Sequence, residues 1–234
     1  METIDKVKGI YEKKLENETA RPYVSAAVIK RLPRYHRYLG ELLRTGTLRI
    51  SSQALSRLMN VTASQIRQDL NCFGGFGQQG YGYNVKYLYA KISELLGVEE
   101  GFKAVIVGAG NLGRALAATP MFERRGVTRV AMFDVDKSVI GTKIYGTPVY
   151  DIEDLEDFCH AEGIDIGIIS VPKNSADEVA RRLIAGGVRG IWNFASTELH
   201  IDKTSVALEN IHLGDSLMKL CYEIKTMGEG DKDE

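Results

Sequence analysis

The chain has 234 residues, of which 44% are hydrophobic and 26% charged, enough for one large domain or two of ordinary size with a substantial core. No apolar run approaches the ~18 residues of a membrane span, and the charged first residues argue against a signal peptide, so membrane and secreted classes are excluded. The cysteines Cys72, Cys159 and Cys221 lack metal-ligand spacing, which excludes a disulfide framework and predicts a reduced, cytoplasmic protein without a metal site.

The formal net charge of −1 hides opposite charges in two parts of the chain. Residues 20–85 carry nine basic and two acidic side chains, whereas residues 86–234 carry 17 basic and 24 acidic ones. A basic part joined to an acidic part predicts a polyanion as partner of the first. Charge alone leaves solvated surface charge as an equal alternative.

The basic part is predicted to begin with helices. Apolar residues recur at helical steps over residues 24–43, with Pro33 marking either a kink or a break between two helices. A second helix follows Ser51 or Ser52 as N-cap, and a tight turn through Asn60 leads to a third.

The third helix has a capping-box sequence, with Thr62 as N-cap and Gln65 reaching back to it. Two helices joined by a short turn, with polar residues early in the second, are typical of a helix-turn-helix that enters the major groove. Arg67 suits a bidentate contact with guanine, and Gln68 suits a similar contact with adenine. The residues of these helices that we expect to contact DNA are Ser52, Ser64, Gln65, Arg67 and Gln68.

Glycines alternate with aromatic and glutamine residues over residues 73–83. This pattern suits a twisted hairpin whose backbone approaches another surface closely, here a wing that lies on DNA. Gly77, Gln79 and Gly80 are its expected contacts, and a flexible loop between domains is the alternative. Apolar residues at helical spacing then predict a linker helix within residues 86–100.

A buried-strand pattern at residues 104–107 leads directly into a G-x-G-x-x-G sequence and then into a helix, which is the place that the dinucleotide fingerprint requires. Asp134 ends the next predicted strand, where a carboxylate binds both ribose hydroxyls and repels a 2′-phosphate, so NAD is favoured over NADP. The alternatives are a Rossmann-like fold without NAD or one that holds another nucleotide, such as a coenzyme A. The fingerprint consists of Gly108, Ala109, Gly110, Asn111, Leu112 and Gly113.

Two later strands end in Ser170, Pro172, Asn193 and Phe194, which we expect to line the nicotinamide side, because ligands of doubly wound sheets bind at the carboxyl ends of strands. A capping-box sequence, residues 175–178, predicts a helix start between these strands. None of the four histidines belongs to a recognisable hydride-transfer set, so we expect no catalytic residue.

A last helix is predicted after residue 211, with one apolar stripe that must be covered. Its cover is either the chain's own domain or a second subunit. The stripe consists of Leu213, Leu217, Leu220, Cys221 and Ile224.

Several motifs occur together and in a specific order over roughly residues 21–226. They are Arg31-Leu32-Pro33-Arg34-Tyr35-His36-Arg37-Tyr38-Leu39, Gln65-Ile66-Arg67-Gln68-Asp69-Leu70, Phe73-Gly74-x-Phe76-Gly77-x-x-Gly80-x-Gly82-Tyr83, the fingerprint, Phe133-Asp134-Val135-Asp136 and Asn193-Phe194-Ala195. On these motifs the chain resembles the Rex redox-sensing transcriptional repressors. The resemblance implies a homodimer that binds operator DNA when NAD dominates and releases it when NADH accumulates.

The resemblance also implies an α/β fold, with an N-terminal winged helix-turn-helix and a C-terminal Rossmann doubly wound parallel sheet with a swapped C-terminal helix. The expected division is an N-terminal extension (1–20), a winged-helix DNA-binding domain (21–85), the linker helix (86–100), a Rossmann NAD(H)-binding domain (101–210) and a dimerisation helix with its tail (211–234). Two other functions stay open: a Rossmann oxidoreductase with a basic accessory domain, and a DNA-binding regulator that senses another nucleotide or uses its Rossmann domain only to dimerise.

The chain departs from the family pattern at positions of the switch and of the DNA contact. Thr119 stands where a Tyr is usual, and His212 and Leu213 stand where some members have Asp and Phe. That Asp normally engages the arginine that Arg37 matches, so the resemblance assigns these four positions to the switch. Gln68 and Gln79 replace basic residues. We therefore expect NADH to weaken operator binding more than NAD does, with reduced or altered discrimination between the two.

Overall fold

The computed structural model describes residues 25–72, 77–78, 82–202 and 204–229. The chain forms two compact units, divided between Val98 and Glu99. The predicted extension over residues 1–20 and the expected wing contacts Gln79 and Gly80 lie outside the described residues.

The first unit is a bundle of short helices with a three-stranded sheet in the order β1-β3-β2, in which β3 pairs antiparallel with both neighbours. The β2–β3 pair is the predicted hairpin. Its Gly82 has φ 70°, and a Cβ there would lie 2.7 Å from the Ile50 carbonyl oxygen, so only glycine fits. The elements are α1 Ala26–Ile29, α2 Leu32–Arg44, β1 Arg49–Ile50, α3 Ser52–Met59, α4 Ala63–Asn71, β2 Gly77–Gln78, β3 Gly82–Asn84 and α5 Val85–Leu95.

Local sequence signals set most boundaries of these helices. Pro33 lies in the first turn of α2, so the early apolar pattern is divided into two helices and not kinked. Ser51 is the N-cap of α3, and its Oγ accepts a hydrogen bond from the Ala54 amide at 3.0 Å. Asn60 ends α3 in the left-handed conformation at φ 49°, which confirms the predicted turn.

A helix is present where the linker helix was predicted over residues 86–100, with the bounds Val85–Leu95. The observed α5 ends at Leu95, and its Leu88 and Ile92 are fully buried in the same core as α2, α3 and α4. The His36 ring also stacks on Tyr89 at 4.4 Å between centroids. Because its apolar face is covered by the helical bundle, α5 is part of the first unit.

The second unit contains a seven-stranded sheet in the order β10-β9-β8-β4-β5-β7-β6. All neighbouring strands are parallel except the β6–β7 hairpin, and without β6 the order is that of a doubly wound Rossmann sheet. Its strands are β4 Phe102–Val107, β5 Val127–Asp134, β6 Lys143–Ile144, β7 Thr147–Asp151, β8 Ile166–Ile169, β9 Gly190–Asn193 and β10 Ala207–Asn210. Its helices are α6 Asn111–Ala118, α7 Leu155–Glu162, α8 Lys173–Ala185 and α9 Leu213–Glu229, with short 3₁₀ turns at Glu123–Arg125 and Ile152–Asp154.

Both faces of this sheet are buried, which explains why its central strands read as continuous apolar runs. Along β4, Ala104 and Ile106 belong to one hydrophobic cluster, whereas Val105 and Val107 belong to the cluster on the other face. The strand β4 has β5 on one side and β8 on the other. The crevice at the carboxyl ends of these strands is the place where such sheets bind ligands.

The capping box predicted at residues 175–178 does not form. The helix α8 begins at Lys173, directly after Pro172, so Ser175 already lies inside its first turn. The carboxylate of Asp177, which is not a member of that box, accepts one hydrogen bond from the His200 amide at 2.9 Å and is 3.0 Å from Nδ1 of His200, 23 residues away. Glu178, the residue that would close the box, accepts a hydrogen bond from Arg181 instead.

The final helix α9 is not covered by the chain's own described residues. Leu213, Leu217 and Ile224 are 66%, 62% and 62% exposed, and Cys221 is exposed as well. Among the described residues, the apolar stripe is therefore not packed on its own domain. An apolar face of this kind on a terminal helix is typical of an interaction surface.

Candidate functional site

The fingerprint turn packs so closely that two of its glycines leave no room for a side chain. Gly108 has φ 104°, and a Cβ there would lie 2.7 Å from the Ser170 carbonyl oxygen. A Cβ on Gly113 would overlap the carbonyl oxygen of Gly108. In contrast, a Cβ on Gly110 would meet nothing within 4 Å. The turn is thus closely packed at Gly108 and Gly113 and open at Gly110. A ligand can therefore approach the N-terminus of α6, where an anion is stabilised.

The carboxylate of Asp134 is held at this turn. Its Oδ2 accepts a hydrogen bond from the Ala109 amide at 2.5 Å, and its Oδ1 accepts one from the Asp136 amide at 2.9 Å. Nε of Arg114 donates to the carbonyl oxygen of the same residue, Ala109, at 2.8 Å. Asp134 therefore lies where a carboxylate can bind a ribose diol, as the strand-end position predicts.

Arg114 is a residue of this site that the sequence reasoning missed, although its position directly after Gly113 was a usable signal. It ties the first turn of α6 to the fingerprint loop. Hydrogen bonds from the Ser138 amide and hydroxyl lower the pKa of Asp136, and the positive charge of Arg114 contributes to the same shift. The edge of the site next to Asp134 is thus polar and charged.

The residues after β8 and at the start of α6 differ in how exposed they are to a ligand. The Ser170 hydroxyl lies 3.0 Å from both the Val107 and the Gly108 carbonyl oxygens, so it joins the end of β8 to the fingerprint turn. Pro172 is exposed beside the start of α8. Asn111 is exposed at the start of α6, whereas Leu112 is half-buried against the sheet.

Asn193 was predicted to line the nicotinamide side, but its side chain is fully buried and bonded within the protein. Its Oδ1 accepts from the Ala195 amide, and its Nδ2 donates to the Thr197 carbonyl and to Oδ1 of Asn210, each at 2.9 Å. Asn193 therefore shapes the loop after β9, and its side chain offers no open group to a ligand. Phe194 is half-buried, with its ring edge-on to Trp192 at 4.6 Å.

The four predicted switch positions lie in both units. Arg37 is exposed on α2, with its guanidinium 5.2 Å from the centre of the Tyr38 ring. In the second unit, Thr119 caps α6 by donating to the Leu116 carbonyl oxygen at 3.0 Å. Thr119 thus has a structural partner.

His212 and Leu213 lie where β10 passes into α9. The Nε2 atom of His212 is 3.2 Å from a carboxylate oxygen of Glu198, whose other oxygen accepts from Asn210 at 3.1 Å. Glu198 was missed by the sequence reasoning, and it supplies a carboxylate beside a position where some family members have one of their own. Leu213 is exposed at the start of α9.

The recognition helix α4 has half of its predicted capping box. Oγ1 of Thr62 accepts from the Gln65 amide at 3.1 Å. The side chain of Gln65 does not return to Thr62 but donates to Oδ1 of Asp69 at 2.7 Å. Gln65 is therefore engaged inside the protein, so its predicted contact with DNA would require breaking this bond.

Asp69 is fully buried and joins α4 to the preceding helices. It accepts two hydrogen bonds from the Arg31 guanidinium, both at 2.7 Å, and one from the Tyr35 hydroxyl at 2.9 Å. Burial opposes ionisation of this carboxyl, but the bonds from Arg31, Gln65 and Tyr35 outweigh it and lower the pKa of Asp69. Burial and the Asp69 carboxylate raise the pKa of Tyr35 well above its usual value. This network fixes the orientation of α4.

The exposed face of α4 carries Arg67 and Gln68. The Arg67 guanidinium donates to the Ser64 hydroxyl at 3.0 Å and to the Ser52 hydroxyl on α3 at 3.2 Å. Three of the predicted DNA-contacting residues are thus brought together on one surface. The wing residue Gly77 pairs with Tyr83 in the β2–β3 hairpin.

The described residues were also searched for a metal site and for a membrane-spanning helix. Within residues 25–72, 77–78, 82–202 and 204–229, no group of three His, Cys, Asp or Glu side chains could hold a metal ion. No helix among the same residues is long and apolar enough to cross a membrane.

Each of the two units contains a region that matches a known family model. Residues 99–197 match a family model described as "CoA binding domain", and residues 23–71 match one described as "Putative DNA-binding protein N-terminus". The redox-sensing transcriptional repressor Rex of Clostridium botulinum (strain Eklund 17B / Type B) is 51% identical over 201 residues, which are 86% of this chain and 95% of that protein.

Solved structures also resemble this chain. The crystal structure of RSP in complex with beta-NAD+ and operator DNA matches with a TM-score of 0.83 and 49% identity, over 89% of this chain and 96% of that one. The crystal structure of RSP in complex with beta-NADH matches with a TM-score of 0.82 and 46% identity, over 91% and 99% of the two chains. With about half of its residues identical over most of both chains, this protein belongs to the Rex family of redox-sensing transcriptional repressors.

Proposed function

We propose that this protein is a transcriptional repressor that senses the balance of NADH and NAD, binding operator DNA when NAD dominates and releasing it when NADH accumulates. The observation that carries this proposal is that one chain combines an exposed recognition helix bearing Arg67 with a fingerprint turn at which Asp134 is held. The family consists of repressors and not of enzymes, so catalysis is not part of the proposed function.

The choice of NAD over coenzyme A follows from Asp134. Coenzyme A and NADP each carry an additional phosphate on the adenosine ribose, whereas NAD leaves both hydroxyls of that ribose unmodified. A carboxylate at the end of β5 accepts hydrogen bonds from such a diol and repels a phosphate in the same place. The match of residues 99–197 to a CoA-binding model then reflects a shared Rossmann-like fold. Relatives solved with beta-NAD+ and with beta-NADH support the same choice.

The proposed cofactor contacts lie at the carboxyl edge of the sheet. The residues from Gly108 to Gly113 face the pyrophosphate, Asp134 binds the adenosine ribose, and the nicotinamide lies toward Ser170, Pro172 and Phe194. The proposed DNA contacts are Ser52, Ser64, Arg67 and Gln68 on the helices, together with Gly77, Gln79 and Gly80 in the wing. Because the side chain of Asn193 is buried, we assign it to support of the nicotinamide loop.

A homodimer in the cytoplasm completes the proposal. The exposed apolar side of α9, including Leu217 and Ile224, packs on the partner subunit, because no part of its own chain among the described residues covers it. The winged-helix domain then extends from residue 21 through α5 to Val98, and the Rossmann domain begins at Glu99.

The two cofactor forms share the adenosine and pyrophosphate parts, so Asp134 and the fingerprint turn bind both equally. A ligand that binds both conformations equally shifts no equilibrium, so discrimination must come from the nicotinamide end. Arg37, Thr119, His212 and Leu213 are the proposed relay, and they differ from the usual family residues at three of the four positions.

The test is selection of an operator from random duplex DNA, followed by titration of the complex with NAD and NADH separately. We expect NADH to lower operator affinity at least tenfold more than NAD does, which requires about 1.4 kcal/mol of coupling. Calorimetry checks that each cofactor is bound. If saturating NADH is bound and operator affinity stays unchanged, the protein is not a redox sensor.

A further inference from the structure

Arg67 is tied across the helix-turn-helix by two neutral side chains. Its Nη1 donates to Oγ of Ser52 on α3 at 3.2 Å, and its Nη2 donates to Oγ of Ser64 in the first turn of α4 at 3.0 Å. Ser52 and Arg67 lie 15 residues apart in the chain, so this arrangement depends on the packing of α3 against α4.

A second arginine near α4, Arg31, differs from Arg67 in the kind of group that it binds. Arg31 binds the buried Asp69 through two hydrogen bonds, so its charge is neutralised inside the unit. Arg67 forms no ion pair with any residue that the structure describes, and both of its partners are hydroxyls. Its guanidinium is therefore oriented without losing its positive charge.

We propose that Ser52 and Ser64 are positioning residues that hold the Arg67 guanidinium in one orientation and thereby set the base-pair preference of this protein at the position that Arg67 contacts. The inference rests on the proposed function, in which α4 enters the major groove of operator DNA. A bidentate contact with guanine needs the planar guanidinium in one orientation. An exposed arginine loses rotamer freedom when it binds, and hydroxyls that restrict it beforehand reduce this loss.

The hydroxyl group suits this task better than a carboxylate. A carboxylate would cancel the charge that attracts Arg67 to DNA and would repel phosphates. A hydroxyl accepts from the guanidinium and leaves other N–H groups of Arg67 for the base. Each serine also keeps its own O–H, which it could donate to a phosphate. Contact with phosphate is thus the competing explanation for any effect of these serines.

The experiment measures the affinity of the intact NAD-bound protein for its selected operator, for each single-base-pair variant of that operator and for unrelated duplex DNA. The variants are Ser52→Ala, Ser64→Ala, their combination, Arg67→Ala, and the combination of all three. Ser52→Thr and Ser64→Thr keep the hydroxyl. Ser51→Ala is the matched control, because Ser51 is the neighbouring N-cap of α3 and contacts the Ala54 amide instead of Arg67.

We expect the double alanine variant to lose about three- to tenfold of the preference at one operator position, measured as the ratio of its affinities for the selected operator and for the variant at that position, in addition to any loss that all duplexes share. In the Arg67→Ala background the serine substitutions should add nothing, and the threonine variants should keep the preference. Ser51→Ala should lower affinity uniformly, if at all, through the stability of α3.

Three results would overturn the inference. An equal loss on every duplex would identify the serines as phosphate contacts. An unchanged base preference in the double variant would show that Arg67 needs no positioning. Absence of any operator preference in the unsubstituted protein would overturn the proposed function and this inference together, whereas the first two results leave the proposed function intact.

Discussion

Asp69 accepts four hydrogen bonds beneath the recognition helix, and its removal should destabilise the first unit strongly. In Asp69→Ala the Arg31 guanidinium and the Tyr35 hydroxyl lose their partner. Breaking a buried ion pair typically costs about 3–5 kcal/mol. The Arg31 side chain is 26% exposed and can recover some hydration, so we expect the lower end, about 3 kcal/mol of the free energy of unfolding.

The assay combines urea unfolding with amide hydrogen exchange in the intact protein. Exchange over α4, residues 63–71, should accelerate in Asp69→Ala because this helix loses its connection to α2. Trp192 is the chain's single tryptophan and lies in the second unit, so its fluorescence transition serves as the internal control. A loss below about 1 kcal/mol, or an equal shift of the Trp192 transition, would refute the reasoning.

The same carboxylate predicts a dependence of stability on pH. Hydrogen bonds hold the pKa of Asp69 below its ordinary value of 3.8 in the folded protein, so the unfolded chain binds this proton more readily. Its stabilising contribution is complete above the unfolded pKa and is lost as pH falls through the folded pKa. Stability of the unsubstituted protein should therefore decrease below about pH 4, and Asp69→Ala should show a shallower decrease.

The remaining predictions concern the cofactor site and the dimer. Asp134→Ala should weaken NAD and NADH equally, by about 1.5–3 kcal/mol for the lost hydrogen bonds to a charged group, whereas Phe194→Ala should change the ratio of the two affinities measured by calorimetry. Gly113→Ala should lower the thermal midpoint because its Cβ meets the Gly108 carbonyl oxygen. Gly110→Ala should fold normally and lose nucleotide affinity. Normal nucleotide binding by Gly110→Ala would contradict the open approach to the fingerprint turn. Deletion of residues 211–234 should give a monomer or insoluble protein, and a stable dimer in sedimentation would exclude α9 as the interface.

Several short-range signals were read correctly, although the capping box predicted at residues 175–178 does not form and that at Thr62 forms only in half. The N-caps at Ser51 and Thr62, the break at Pro33 and the left-handed turn at Asn60 are all decided by nearby backbone groups. The fingerprint belongs to the same class, because its strand, turn and helix are consecutive in the chain. Family membership followed from the order of such motifs, which a linear sequence contains in full.

The packed structure decided the features that depend on residues far apart in the chain. It gave Gln65 a partner in Asp69 instead of the helix start, and Asp69 a partner 38 residues away in Arg31. It placed α5 in the core of the first unit, and it buried the side chain of Asn193, which the strand-end rule had predicted to face a ligand. The sequence alone therefore determined the order of elements, the fingerprint and the family, because these depend on neighbouring residues. Only the tertiary structure decided which polar groups remain open to DNA or cofactor, because a buried donor or acceptor takes whichever partner the packing brings within reach.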